Sequence, residues 1–338
     1  MILLKGLPGS PYTRKMLSLL RYRRLPYRYL HARHGETRGL PQPKVNLIPV
    51  FYFQDDDGKF EAHIDSTHIL RRLENEHAGR SAIPENPVLR FLDYLLEDYA
   101  DEWLTKAMFH YRWHFEADAE MAARILPYWG DITAPDKSLA EASKQFGQRQ
   151  IDRLYVVGSN ATTAPIIEAS YKRFLRLFTR HLERHPFLMG KRPGASDFAV
   201  FGQLTQLAQF DPTSSGIALQ QAPRVYSWVS LTEDLSGLEP EPQHWFPDAD
   251  VPQTLLTLLE EMGRTYVPVM LANAAAFQAG ESKVECLVDD KPWRQKTFPY
   301  QAHCVDWIRA EYDALDSTAR STIDAMFAGT GCEALLIN

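Results

Sequence analysis

The sequence is poor in the features that secreted and membrane proteins need. Its 338 residues include only three cysteines, Cys286, Cys304 and Cys332, which lie in the last fifth of the chain and make no disulfide framework. No apolar run approaches the roughly 20 residues that span a bilayer. The opening Met1–Pro8 lacks the charged head and long apolar centre of a secretory signal peptide. These absences predict a cytoplasmic protein with no membrane partner.

A basic excess is also missing. The chain has 37 Lys and Arg against 43 Asp and Glu, for a net charge of -6 and an isoelectric point near 6.0. Nucleic-acid backbones are bound by clustered positive charge, so no nucleic-acid partner is expected. What remains is the composition of a globular protein, with 45% hydrophobic and 24% charged residues. A length of 338 residues favours two domains.

The first 80 residues have the pattern of a small α/β unit. Ile2–Lys5 predicts a strand that ends in a glycine- and proline-rich turn, and Pro11–Arg23 predicts a helix with Ser10 at or next to its N-cap. The basic residues of this helix, Lys15 among them, fall largely outside its apolar face. The further predicted elements are a strand at Tyr27–Ala32, a hairpin of Ile48–Phe53 and Lys59–Ile64, and a helix at Thr67–His77.

From Pro87 onward the periodicity is helical. One strand pattern returns, at Lys283–Val288, and the clearest linkers are His77–Pro87 and Gly237–Pro252. The predicted helical segments are Pro87–Ala123, Ser138–Tyr155, Pro165–His185, Asp197–Gln209, Pro223–Leu231, Pro252–Met262, Tyr266–Gln278, Tyr300–Leu315 and Ser317–Phe327. We therefore expect an α/β domain at 1–80 and an enlarged all-helical domain at 87–338, in which 240–338 adds extra C-terminal helices.

The chemistry is predicted at the start of the first helix. A strand that runs through Gly6 and Gly9 into a helix places Ser10 where backbone N–H groups converge and the helix dipole is positive. This geometry suits an anion. The Gly-Lys-Ser/Thr of a phosphate-binding loop is absent, so a thiolate fits this position better than phosphate.

Four motifs in order resemble one family. Ser10-Pro11-Tyr12-Thr13 stands where glutaredoxin-like chains carry Cys-Pro-Tyr-Cys, and Asn46–Val50 and then Asp65-Ser66-Thr67 follow in the order of a glutathione-binding thioredoxin fold. Phe187–Gly190 with Ala195–Ala199 resembles the start of the central helix in the helical domain of cytosolic glutathione transferases. The chain is thus similar to the glutathione S-transferase superfamily, and to its serine-using classes in particular.

The resemblance implies roles for five residues. Ser10 would donate a hydrogen bond to the glutathione sulfur, and Ile48 with a cis Pro49 would pair with the cysteinyl part of the tripeptide. Asp65 and Ser66 would hold its γ-glutamyl end. Plainer alternatives are an N-cap role for Ser10 and helix capping at Asp65-Ser66. A trans loop is the plainer alternative at Pro49.

The same resemblance implies a thioredoxin-like fold followed by helices, glutathione as co-substrate, no metal, and a homodimer. The expected activity is conjugation of glutathione to an electrophilic hydrophobic small molecule. Two alternatives remain open: a catalytically silent binding protein of this family, and a glutathione-dependent isomerase or dehalogenase. Residues 240–338 are not explained by the family and are expected to pack on the helical domain, covering the acceptor site.

Two positions depart from the family pattern. Leu47 stands where many members have a lysine that meets the glycyl carboxylate, and Lys44, Arg33 or His34 are the candidate substitutes. An exposed ion pair contributes only about 0.2–1 kcal/mol, so its loss would weaken glutathione binding several-fold at most. Gly194 stands where the helical-domain capping box usually has Ser or Thr, with Asp197 three residues later.

A second constellation lies on the first predicted helix of the helical domain. Carboxylates are concentrated in Glu97–Glu102, and His110 and His114 are one helical turn apart. A metal site is one interpretation, and a solvated or domain-facing helix is the more common one. The nearby aromatics either line an acceptor pocket or pack in the core; they are Phe109, Tyr111, Trp113 and Phe115.

Overall fold

The chain begins with a four-stranded mixed sheet. The structure is a computed structural model that describes residues 1–31, 37–247 and 250–337. Its first elements are β1 (Ile2–Gly6), α1 (Pro11–Tyr22), β2 (Tyr27–His31), β3 (Val50–Gln54), β4 (Phe60–His63) and α2 (Ser66–Glu76). The strand order is β2-β1-β3-β4, with β1 and β2 parallel and the other pairs antiparallel. This confirms the predicted thioredoxin-like α/β fold; the predicted strand residue Ala32 lies outside the described residues.

The register of the sheet brings three loops to one edge. Lys5 near the end of β1 pairs with Val50 at the start of β3, and Phe51 pairs with His63 at the end of β4. The segments that follow β1, precede β3 and follow β4 therefore emerge side by side. Those segments carry the residues predicted to form the site.

One face of the sheet is covered by α1 and α2. Leu4 and Phe51 of the sheet are fully buried in a single cluster with Met16 of α1 and Leu70 of α2. Lys15 is outside this apolar cluster, as predicted, but it is only 1% exposed. Lys15 points from α1 into the boundary with the helical part rather than into water.

The helical part begins at Pro87. Its first elements are α3 (Pro87–Tyr99), a π-helical turn (Ala100–Leu104), α4 (Thr105–His114), α5 (Glu116–Gly130), α6 (Asp136–Ile151), α7 (Ala164–Leu182), α8 (Ala195–Leu207), α9 (Pro212–Gln221) and α10 (Pro223–Thr232). The predicted single segment Pro87–Ala123 is thus interrupted twice. It widens to a π turn at Ala100–Leu104, and it breaks at Phe115, whose backbone is extended at φ -85° and ψ 127°.

The central helix α8 connects the two parts of the chain. Half of a capping box is present, because the Gly194 N–H donates to Asp197 Oδ2 at 2.9 Å, while glycine has no side chain to accept in return. Farther along, a Cβ atom built on Gly202 would lie 2.4 Å from the carbonyl oxygen of Pro11 and 3.1 Å from the Cβ of Lys15. A glycine at 202 therefore allows α8 to approach α1 more closely than any side chain would permit.

The C-terminal extension is α11 (Gln253–Gln278), β5 (Lys283–Val288), β6 (Lys291–Lys296), α12 (Pro299–Asp313) and α13 (Ser317–Phe327). The predicted strand Lys283–Val288 is confirmed, but its partner was missed, so the extension is not wholly helical. Pro292 in β6 argued against a strand. The hairpin turns at Asp289 and Asp290, which take φ 55° and 58° without the glycine that usually marks such a turn.

The extension packs on the helical part and shares its core. Phe91 of α3 lies 5.8 Å from Tyr312 and 6.0 Å from Phe327, measured between ring centroids. Cys304 and Cys332 are buried, in line with structural thiols. None of the helices in the described part of the chain is long and apolar enough to cross a membrane.

Candidate functional site

Ser10 caps the first helix. The backbone N–H of Thr13 donates to Ser10 Oγ at 3.2 Å, and the Ser10 hydroxyl donates to the carbonyl oxygen of Ile48 at 3.3 Å. The hydroxyl thus sits at the positive end of the α1 dipole and is partly exposed. Both hydrogen bonds are long, so the hydroxyl proton can turn toward another acceptor at small cost.

The turn before Ser10 is held by a buried cation. Arg112 of α4 donates from Nη1 to the carbonyl oxygen of Gly9 at 3.0 Å and pairs through Nε with Asp211 at 2.8 Å. Gln206 donates to the carbonyl oxygen of Pro8 at 3.1 Å. Because these side chains come from the helical part, that part fixes the position of the Ser10 loop.

Ile48 and Pro49 meet Ser10 across the sheet edge. The Ile48–Pro49 peptide bond is cis. Ile48 is the residue whose carbonyl oxygen accepts from Ser10, so the two predicted residues are adjacent in space although they are 38 positions apart.

Asp65 begins the second helix and Ser66 is its first residue. Asp65 has φ 81°, and its Oδ1 accepts from the N–H groups of Thr67 at 3.1 Å and His68 at 3.4 Å. Its Oδ2 accepts from the Tyr300 hydroxyl at 2.8 Å and lies 3.0 Å from His68 Nδ1. Burial opposes ionisation of Asp65, but the His68 and Tyr300 hydrogen bonds outweigh it and lower its pKa.

The Ser66 side chain is differently placed. Ser66 is 7% exposed, and its hydroxyl forms no hydrogen bond with any of the residues that the structure describes. It lies at the N-terminus of α2, where a carboxylate is stabilised by the helix dipole.

A buried ion cluster lies behind these two helix starts. Lys15 Nζ lies 2.7 Å from Glu97 Oε1 and 2.6 Å from Asp101 Oδ2, and Arg71 Nη2 lies 2.7 Å from Glu97 Oε2. Thr67 Oγ1 lies 3.3 Å from both carboxylates. The cluster ties α1 and α2 to α3 and its π turn.

The cluster shifts the ionisation of its members in opposite directions. Burial opposes the charge on Glu97, but Arg71 and Lys15 outweigh it and hold its pKa below the usual range. Burial raises the pKa of Asp101, and Lys15 offsets only part of that rise. Asp101 is therefore the member that depends most on its single buried cation.

Sequence reasoning missed this cluster and the residue that the extension brings to the site. The sequence analysis did single out the carboxylates at 97–102. Of the interpretations given for their helix, one that faces the other part of the chain is confirmed, and a solvated helix is wrong. Lys15 lies one turn before Leu19, a core residue, and this spacing was an available signal of burial. Nothing in the sequence indicated that Tyr300 would reach Asp65.

Comparisons with known proteins agree with the fold. Residues 4–81 match the family model described as glutathione S-transferase, N-terminal domain. This part of the chain is similar to the N-terminal domains of glutathione S-transferases. A search of curated proteins found no match to the chain.

The chain is also similar to solved structures of bacterial glutathione transferases and of a GST-like protein. A Pseudomonas fluorescens glutathione transferase family member with two glutathione bound is 18% identical over 68% of this chain and 87% of its own, with a TM-score of 0.42. A Rhodospirillum rubrum glutathione S-transferase is 17% identical over 73% and 96%, with a TM-score of 0.42. A GST-like protein from Pseudomonas syringae is 16% identical over 73% and 77%, also at 0.42.

The position where the resemblance implies a lysine is occupied by Leu47. Leu47 is 54% exposed, and Lys44 is also exposed. The other two candidate substitutes, Arg33 and His34, lie outside the described residues.

The second constellation is explained by packing. Among the described residues, no group of three or more His, Cys, Asp or Glu side chains could hold a metal ion. His110 is buried, with its Nδ1 2.8 Å from Ser159 Oγ, and it stacks on His114 at 4.5 Å. Tyr111 and Trp113 are 1% and 2% exposed, so both pack in the core, and Trp113 also borders a surface cleft between α5 and α6.

Apolar surface near Ser10 comes from α5 instead. A Cβ atom built on Gly9 would lie 2.5 Å from Leu126 and 3.0 Å from the ring of Trp129. Both side chains are half-buried. They form an apolar wall directly beside the residue before Ser10.

Proposed function

We propose that the protein binds glutathione at the edge of its sheet and conjugates it to an electrophilic hydrophobic small molecule. The observation that carries the proposal is the Ser10 hydroxyl, which caps α1 and faces the carbonyl oxygen that precedes the cis Pro49. The similarity of residues 4–81 to the N-terminal domains of glutathione S-transferases supports the choice of glutathione. Similar structures crystallised with glutathione bound are consistent with it.

When glutathione binds, the hydrogen bond between Ser10 and Ile48 would be replaced by two hydrogen bonds to glutathione. The Ser10 hydroxyl would turn from Ile48 to the glutathione sulfur, and the freed carbonyl oxygen of Ile48 would accept a backbone N–H from the cysteinyl residue. Ser66 has a free hydroxyl and lies at the N-terminus of α2. It would therefore hold the γ-glutamyl carboxylate. The Ser10 hydroxyl and the Ile48 carbonyl oxygen would then each keep a partner.

Ser10 and its helix are sufficient to ionise the thiol. Lowering a thiol pKa from about 8.5 by about two units requires about 2.7 kcal/mol. A hydrogen bond to a charged group contributes about 1.5–3 kcal/mol, and a helix N-terminus about 0.3–1 kcal/mol more. The resulting thiolate attacks the electrophilic carbon of an acceptor lying against Leu126 and Trp129, and the electron pair of the broken bond leaves with the leaving group.

The test is the ionisation of bound glutathione in Ser10→Ala. We expect the thiol pKa, followed by thiolate ultraviolet absorbance, to rise by about one to two units relative to the wild type. Ser10→Thr keeps the hydroxyl and the cap and should restore most of the shift. Tyr12→Phe is the matched control, because its hydroxyl donates to the carbonyl oxygen of Asp101 at 2.9 Å and not to the site. Full conjugation activity in Ser10→Ala would remove Ser10 from the mechanism.

A second candidate function is to bind an apolar ligand or a partner without catalysing a reaction. The exposed Leu47 and the hydrogen bonds that already surround Asp65 favour it, since both weaken the hold on glutathione. A calorimetric titration with glutathione separates the two functions. Millimolar glutathione that produces no heat and no thermal shift would support the second.

A further inference from the structure

The C-terminal extension reaches the γ-glutamyl side of the proposed glutathione site. α12 begins at Pro299, and the hydroxyl of Tyr300 donates to Asp65 Oδ2 at 2.8 Å. The ring of Trp307, two turns later on the same helix, lies 4.9 Å from the ring of His68 and 5.6 Å from that of Tyr300. These aromatic side chains cover the start of α2.

Residues of α11 and of the π turn fix the start of α12, and with it the position of Tyr300. The start of α12 is fixed by Asn273 of α11, whose side chain donates to the carbonyl oxygen of Phe298 and accepts from its N–H, both at 2.8 Å. The next residue, Gln301, is 2% exposed and donates to Glu102 at 2.9 Å. The hydroxyl of Tyr300 is therefore prepositioned on Asp65 and is not part of a loose tail.

Asp65 has no acceptor position left. A carboxylate offers about four lone-pair sites. Two are used by the N–H groups of Thr67 and His68, and the other two by Tyr300 and the His68 ring. An incoming ligand cation can reach this carboxylate only if one of those partners leaves.

We infer that Tyr300 is a specificity-determining residue that competes with the ligand's ammonium group for Asp65. The inference rests on the proposed function, because it takes glutathione as the ligand. The γ-glutamyl residue carries one carboxylate and one ammonium, and Asp65 is the acidic side chain at the start of α2. With Tyr300 in place, the site accepts the carboxylate at Ser66 but admits the ammonium only by displacing the Tyr300 hydroxyl. Ligands with a blocked or absent amino group escape this competition.

The test compares two ligands on three proteins. Calorimetric titration measures the dissociation constants of glutathione and of N-acetylated glutathione, which lacks the ammonium charge, for the wild type, Tyr300→Phe and Tyr312→Phe. Tyr312 is the matched control, because its hydroxyl bonds Asp324 within the extension, away from Asp65. In Tyr300→Phe we expect about tenfold tighter glutathione binding and unchanged N-acetylglutathione binding. Tyr312→Phe should leave both unchanged.

Each contrary result has its own meaning. Equal or weaker glutathione binding in Tyr300→Phe overturns the inference and leaves the proposed function standing. An equal gain for both ligands also overturns it, since Tyr300 would then act by its bulk. If none of the proteins binds glutathione, the inference and the proposed function both fail. Thermal unfolding of Tyr300→Phe checks its fold, and Tyr300→Leu, which also removes the ring, should show the same preference for the free amino group.

Discussion

Removing the buried ammonium of Lys15 tests the ion cluster that joins the two parts of the chain. Lys15→Met keeps the length of the side chain but leaves Asp101 without a cation. Asp101 is 6% exposed and retains only Thr67 Oγ1 at 3.3 Å. Glu97 keeps Arg71 at 2.7 Å, so the loss falls mainly on Asp101.

Breaking a buried ion pair from one side costs about 3–5 kcal/mol, because the remaining charge stays buried and uncompensated. We therefore expect Lys15→Met to lower the free energy of unfolding by about that amount near neutral pH. The control is Lys59→Met, since Lys59 is 78% exposed and lies 3.9 Å from Asp57. Such a surface pair contributes little, and the control should change stability by less than about 0.5 kcal/mol.

The pH dependence has a definite sign. The pKa of Asp101 is higher in the folded than in the unfolded protein, because burial disfavours its charge. Such a carboxyl lowers stability most above its folded pKa, and this loss fades as pH falls from the folded pKa toward the unfolded one. Losing Lys15 raises this pKa further, so the difference between Lys15→Met and the wild type should shrink on acidification. Urea denaturation followed by circular dichroism at several pH values measures it.

A destabilisation below about 1 kcal/mol, or one that does not change with pH, would refute this account of the cluster. Either result would mean that Asp101 is solvated or paired in the absence of Lys15. The contact between the two parts of the chain would then not depend on Lys15.

Two further predictions concern His68 and Gly202. The hydrogen bond to Asp65 raises the pKa of His68, so Asp65→Asn should lower that pKa in an NMR titration. The stability contributed by the charged pair should be present below about pH 6.5 and fade as pH rises through the raised pKa of His68; an unchanged His68 pKa in Asp65→Asn would contradict this. Gly202→Ala should destabilise the protein by about 1–3 kcal/mol, since the new methyl group would meet Pro11. Gly216→Ala, in α9 with open space around it, should be neutral or slightly stabilising in the same melts, and equal effects at the two sites would refute the packing argument.

The local chemistry of the N-terminal part could be predicted from the sequence. Ser10 and Asp65 are good N-cap residues, and both cap the predicted helices. The Asp-Gly turn indicated where the hairpin of β3 and β4 lies, and short apolar or β-rich runs indicated the strands. Each of these signals acts over a few neighbouring residues, which is why they survive in the fold.

Predictions over longer ranges were less complete. α11 runs through Pro268 as one helix, although two separate segments were expected, because packing on both sides keeps it helical. The strand β6 was missed because Pro292 and the glycine-free turn at Asp289 hide it. The assignments of Ser10, Ile48, Pro49, Asp65 and Ser66 to glutathione binding stay predictions, as does the homodimer.

The sequence by itself determined the helix starts, the sheet and the similarity of residues 4–81 to glutathione S-transferases, since caps, turns and periodicity depend on adjacent residues. Only the tertiary structure decided which charges are buried. The sequence places Lys15 outside the apolar face of α1, but only the fold brings Glu97 and Asp101 within 2.7 Å of it. Tyr300 lies 235 positions from Asp65, and no local pattern encodes that contact, because it depends on how the whole extension folds back over the start of α2.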